Sequence, residues 1–168
     1  MGPEIWNAFD KNRQLLSDQI LERDKFPAAY PEELYHLAVN VWVKHRDGDW
    51  LLMKRSAEKQ HFPNVYEVGA GGSVFYGETS QEAAKRELME ETGLVATSID
   101  YLFSFTEEEH RTHFDAYLAL VDGDKAQIIY QMEETDAHIW VKEADLPNFL
   151  ATHPVFENQK QQVLAYCR

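Results

Sequence analysis

Basic residues are scarce in this chain. Lys and Arg number 16 against 29 Asp and Glu, a formal charge of -13, which repels a nucleic-acid backbone or an anionic membrane surface. No polymeric nucleic acid is expected as a partner. Phosphorylated small molecules stay open, because divalent cations can neutralise substrate and site together. Cysteine is nearly absent as well: the one thiol, Cys167, builds neither an intrachain disulfide nor a cysteine-based zinc site, which fits a reducing, cytoplasmic compartment. Long apolar runs are missing. A stretch such as LAVNVWV (37–43) falls far short of the ~20 apolar residues of a membrane span, and MGPEIWNAFDKNRQ has no basic start followed by an apolar run, so no membrane partner is expected. There is no internal repeat, low-complexity segment or Gly/Ser linker. With 168 residues, 44% of them hydrophobic, the expectation is one domain over 1–168.

What is present reads as a strand-rich frame. EIWNAF and QILE flank the polar turn Asp10 to Arg13 and predict an N-terminal hairpin within an extension over 1–34. LYHLAVNVWVKH and WLLMKRS surround RDGD, where Asp47-Gly48 is a hairpin signal. IDYLFSFT, THFDAYLALV and AHIWV read as further strands. Helices are fewer: residues 79–92 have Thr79 or Ser80 as N-cap and Gly93 as stop, EADLPNFLA reads as a short helix broken at Pro147, and VFENQKQQVLAYC as a closing amphipathic helix. The mixture predicts an α/β layered domain with helices covering a mixed sheet.

The helix over 79–92 carries the chemistry. At 100° per residue, Gln81, Ala84, Leu88 and Thr92 form the expected core-facing stripe, while Glu87, Glu90 and Glu91 share an adjacent wedge about 100° wide with the small residues Ser80 and Ala83. Like charges at i, i+4 disfavour a helix by about 0.2 to 0.5 kcal/mol per pair. A Glu-rich helix is most often a solvated face; the competing explanation is a carboxylate cage for hard divalent cations, which prefer oxygen ligands. The upstream residues favour the cage. Gly71-Gly72 lets backbone approach the helix start closely, and Glu78, eight residues before Arg86, can meet it across the loop–helix junction.

Residues 72–94 resemble the Nudix box of the Nudix hydrolases, GX5EX7REUXEEXGU with U aliphatic, at every specified position: Gly72, Glu78, Arg86, Glu87, Leu88, Glu90, Glu91, Gly93 and Leu94. Such a match arises by chance roughly once in a billion start positions, taking a residue frequency near one in fifteen. The resemblance implies an α/β/α sandwich and Mg²⁺ (or Mn²⁺) bound by Glu87, Glu90 and Glu91, with Glu91 the most important ligand and the Gly71 carbonyl a further one. It implies supporting roles for Arg86 and Glu78, whose ion pair would orient the cage. The implied reaction is hydrolysis of a nucleoside diphosphate linked to a moiety X, a small-molecule diphosphate substrate.

The family often keeps a general base or extra ligand outside the box. Glu134, just ahead of the AHIWV strand, is one candidate; Glu107, Glu108 and Glu109, in a turn between two strands, are others. His110 and His113 have HxxH spacing but would point to opposite faces of a strand, which disfavours a zinc pair. Phe75, Tyr76 and Phe62 either stack on a substrate base or pack. The flanks over residues 4–95 resemble the branch related to isopentenyl-diphosphate isomerase, which raises a metal-dependent isomerase as a rival. Those isomerases place a cysteine just before the box glycine and a His-Pro pair after it; here AGGSV has Gly71 and Ser73-Val74. His36 matches another isomerase histidine ligand, yet alone it reads as structural. A non-catalytic nucleotide-binding protein of the same fold is the other alternative, disfavoured by the intact box. Exposed aromatics in the hairpin are compatible with a homodimer.

Overall fold

The computed structural model describes residues 2–168. Strands β1 (Ile5–Phe9) and β2 (Leu15–Glu22) pair antiparallel as the expected hairpin, with β2 beginning earlier than the QILE pattern marks it. The main sheet is mixed and seven-stranded. Its central strand β3 (His36–His45) runs parallel to β8 (Thr112–Val121) and antiparallel to β6 (Ala70–Ser73) and β4 (Asp49–Arg55). β4 also pairs with β5 (Tyr66–Val68) and β9 (Thr135–Lys142), and β7 (Ser98–Glu107) pairs with β8. Three α-helices complete the order: α1 (Ser80–Thr92), α2 (Leu146–Thr152) and α3 (Glu157–Tyr166). None is long and apolar enough to cross a membrane among the described residues.

Alternation along β3 decides what covers each face. Val39, Val41 and Val43 turn to the side of α1 and pack with its Ala83, Ala84 and Leu88. Trp42 turns the other way and packs with Trp50, Leu52 and the apolar residues of α2 and α3, including Leu146, Leu150 and Val163. Helices on both faces of a mixed sheet make the α/β/α sandwich expected from the sequence. Pro147 does not break a helix. It sits in the first turn of α2, where its missing N–H would have had no intrahelical partner and its fixed φ suits a helix start.

The hairpin buries its own small cluster of Trp6, Ala8, Leu21 and Leu34, with Phe26 and Phe75 packed against it. It is tied to the box loop, since the Tyr76 amide donates to the Ile5 carbonyl at 2.9 Å and the Gly77 amide to Asn7 Oδ1 at 2.9 Å. Gly77 has φ +80° there, which favours glycine. Arg13, in the hairpin turn, forms an ion pair with Asp115 of β8.

His36 joins hairpin and sheet. Its ring stacks on Trp6 at 4.1 Å and meets the edge of Phe26 at 5.0 Å, while Nε2 lies 2.9 Å from Thr112 Oγ1. Burial, with lesser contributions from His113 and Arg23, lowers its pKa to about 3. The unfolded chain, near the ordinary value of ~6.5, therefore takes up this proton first, and stability is lost as pH falls from about 6.5 towards 3. Between pH 6.5 and 5, denaturant unfolding of the wild type should lose up to about 1.4 kcal/mol more per pH unit than His36→Gln; parallel slopes in the two proteins would contradict the buried neutral imidazole.

Candidate active site

The site begins with the ends of α1. Thr79 Oγ1 accepts from the Glu82 amide at 3.1 Å and Glu82 Oε1 accepts from the Thr79 amide at 3.4 Å, a reciprocal cap that fixes the first turn. Gly93, at φ +76°, closes the helix by donating to the Met89 carbonyl. Ala83, Ala84, Glu87, Leu88 and Thr92 are buried. Gln81 is exposed, contrary to the stripe read from the sequence: the helix is turned so that Glu87, which the period alone placed beside the core face, packs against β6.

That rotation is possible because Gly72 has no side chain. A Cβ on Gly72 would stand 2.3 Å from Glu87 Oε1. Arg86 then gathers the acids around one guanidinium. It donates twice to Glu78 (Nε to Oε2 2.8 Å, Nη2 to Oε1 2.9 Å), and its Nη1 reaches Glu87 Oε1 at 2.8 Å and Glu90 Oε2 at 3.2 Å. Nη2 also donates to the Ser73 carbonyl at 2.9 Å, and the guanidinium covers the Phe75 ring at 3.6 Å. Glu91 turns towards β6, where the Gly71 amide donates to Oε2 at 3.4 Å.

The electrostatics follow from this crowding. Burial raises Glu87 despite Arg86. Glu91 is raised well above the carboxylate range by burial and then by the nearby charges of Glu67 and Glu87. For Glu78 burial also opposes ionisation, but Arg86 and the Phe75 amide outweigh it and the net shift is downward. The acids not neutralised by Arg86 therefore sit where extra positive charge is most stabilising. Among the described residues no three His, Cys, Asp or Glu side chains already converge as a ligand set; Arg86 holds Glu87 and Glu90, and Glu91 faces Gly71. The donors present are carboxylate and backbone oxygens, the set that fits Mg²⁺ or Mn²⁺.

These acids line one side of a cleft of about 850 Å³. Glu134, a candidate from its place before β9, lies in the same cleft, ion-paired with Lys59. The cluster at 107–109 does not join it: Glu107 pairs with His110 at 3.0 Å, Glu108 accepts from the Tyr35 hydroxyl, and Glu109 is exposed. His110 and His113 stay apart. His113 is buried and donates from Nε2 to the Asp10 carbonyl at 2.7 Å. Arg86 covers one face of Phe75; Phe62 is 60% exposed and meets the edge of Phe156. Sequence reasoning missed Glu67, Arg55 and Arg23, which also line the cleft. Arg55 Nη1 pairs with Glu67 Oε1 at 2.8 Å. A charged residue between Tyr66 and Val68, directly before the box, was the available signal for Glu67.

The layered fold and the loop–helix with its Arg-centred carboxylates define a Nudix-type hydrolase. The NUDIX domain profile matches residues 34–165, and the chain belongs to that family. It is 34% identical over 144 residues to an uncharacterised Nudix hydrolase of Listeria monocytogenes, covering 83% of this chain and 81% of the relative. It is 25% identical over 130 residues to an isopentenyl-diphosphate Delta-isomerase of Corynebacterium diphtheriae, covering 71% and 70% of the two chains. A crystal structure from Deinococcus radiodurans superposes with a TM-score of 0.76 at 23% identity, over 98% of this chain and all of that one, which shows the shared fold.

Because the atom a Gly72 side chain would meet is the mobile end of Glu87, Gly72→Ala should shift the melting temperature by only a few degrees. Displacing that carboxylate should nevertheless weaken Mn²⁺ binding, read by titration calorimetry, by about ten-fold or more. Unchanged Mn²⁺ affinity would remove Glu87 from the ligand set.

Proposed function

We propose that the chain hydrolyses a phosphoanhydride bond in a nucleoside diphosphate linked to a moiety X, giving a nucleoside monophosphate and a phosphorylated X. The observation that carries this reading is the grouping of Glu87 and Glu90 on one guanidinium, with Glu91 against the Gly71 amide, beside backbone that lacks a Cβ at Gly72. Glu87, Glu90 and Glu91, with the Gly71 carbonyl, are the groups that would hold Mg²⁺ or Mn²⁺. When bound, such ions neutralise the diphosphate and make the attack of water on phosphorus accessible near neutral pH.

The protein's own groups have separable tasks. Glu78 fixes Arg86 from both oxygens, so that the guanidinium can turn a second edge to Glu87 and Glu90. Arg23, Arg55 and Lys59, which line the same cleft, suit the phosphate oxygens of the substrate. Glu134, held by Lys59 at the cleft wall, is the proposed acceptor of the proton released by the attacking water. One water molecule adds across the bond: its oxygen joins phosphorus and the bridging P–O bond breaks.

The isomerase alternative needs a proton donor next to the acids. Glycine at Gly71 and the Ser73-Val74 pair after it supply neither a thiol nor a second imidazole there. Glu91→Gln removes the carboxylate that Arg86 does not reach while keeping its shape, so with saturating Mg²⁺ and nucleotide sugars as substrates it should lower kcat by at least about 10²-fold with an unchanged melting profile. Near-normal turnover in that variant, or a dimethylallyl product from isopentenyl diphosphate with the wild type, would overturn the assignment.

A further inference from the structure

The cleft has a second lobe. A cavity of about 370 Å³ lies between β3, β8 and the start of α3, and it meets the main cleft along Glu67 and the backbone of Gly71, Gly72 and Ser73. The two lobes differ in charge. Arg23, Arg55, Lys59 and Arg86 all line the main cleft; no Lys or Arg lines the second lobe among the described residues, and its ionised side chains are Glu67, already paired with Arg55, and Glu107, beside His110. Glutamates outnumber the cations in the main cleft, but it alone offers fixed cations for phosphate oxygens to meet, and the second lobe offers none.

The second lobe is lined by polar side chains with bonding capacity unused among the described residues. Asn40 is only 6% exposed, its Oδ1 lies 3.3 Å from the position a Gly71 Cβ would take, and no hydrogen bond from the described residues reaches its carboxamide. His36, 8% exposed, lies in the same wall. Thr112 Oγ1 donates to the His110 carbonyl at 3.0 Å and so accepts from His36 Nε2–H, which leaves Nδ1 a bare acceptor, and it has no partner. Phe114 and Phe156 supply the apolar part of the lining, and the volume falls within the ~300–1,000 Å³ of small-ligand sites.

We infer that this lobe binds the uncharged heterocyclic base of the substrate's nucleoside, with Asn40 as the residue that reads the base edge and Phe114 and Phe156 as its apolar walls. The diphosphate then crosses the Gly71–Ser73 junction into the acidic and cationic cleft. Neutral planar rings with donor and acceptor edges match a carboxamide set among aromatics; a phosphate or carboxylate does not. The inference rests on the hydrolytic reading of the neighbouring acids but is tested apart from it, by binding of compounds that cannot turn over.

With the full chain at saturating Mg²⁺, calorimetric titration of AMP, UMP, ribose 5-phosphate and phosphocholine compares one phosphate carrying a base, no base, or a cation. At least one nucleotide should bind about ten-fold tighter than ribose 5-phosphate, with amide NMR shifts concentrated at Asn40, Thr112 and Phe114. Asn40→Ala, and independently Phe114→Leu, should reduce that preference to under about three-fold. Equal binding of nucleotides and ribose 5-phosphate by the wild type, tighter binding of phosphocholine, or an undiminished preference in both variants overturns the lobe assignment. If diphosphates are hydrolysed without such a preference, the lobe fails and the hydrolase reading stands; if the preference depends on Asn40 but no diphosphate is hydrolysed, the reverse holds.

Discussion

One guanidinium governs the site. Glu87, Glu90 and Glu91 within five residues of a helix would repel one another, more strongly because part of the wedge is buried, and buried charges persist only when paired. Arg86 answers Glu87 and Glu90 directly, and the surrounding chain is arranged to keep it there. Glu78 grips it from the loop, Ser73 accepts its last free edge and Phe75 supports its face. Glycine at position 72 lets Glu87 approach from below. The hairpin, through Asn7 and Ile5, holds that loop from outside. Glu91, left to β6 and the Gly71 amide, is the acid whose charge the protein compensates least.

Much of this was legible because it is local. The cap at Thr79, the stop at Gly93, the pairing of Glu78 with Arg86 and the alternation that splits Val39, Val41 and Val43 from Trp42 depend on spacing alone. Gln81 misled because a helical period does not fix the helix's rotation; the fit of Glu87 against a missing side chain on another strand does. Pro147 misled because a proline inside a helix and one in its first turn look alike until the start is known. For Phe75 stacking and packing stayed open because nothing local shows that Arg86 covers a face of its ring.

The unread parts of the site are those assembled from afar. Glu67 and Arg55 come from adjoining strands, Arg23 from just after the hairpin, and the lobe around Asn40 joins β3 and β8 to α3. In a chain of net charge -13, Arg23, Arg55, Lys59 and Arg86 are cations set among the glutamates of the cleft, and they divide the site into a part with fixed cations and a part without. Sequence period cannot show that division, since the residues on each side are tens of positions apart.

In the proposed reaction water attacks phosphorus in a diphosphate held against these acids. The most direct test is to turn over a nucleoside diphosphate sugar with Mg²⁺ in ¹⁸O-labelled water and to locate the label by mass spectrometry. Attack at phosphorus leaves one ¹⁸O in a phosphate group of the products, with nucleoside monophosphate and sugar phosphate formed in equal amounts. Label in a sugar hydroxyl, which marks cleavage of a carbon–oxygen bond, or no Mg²⁺-dependent turnover of any diphosphate, would contradict it.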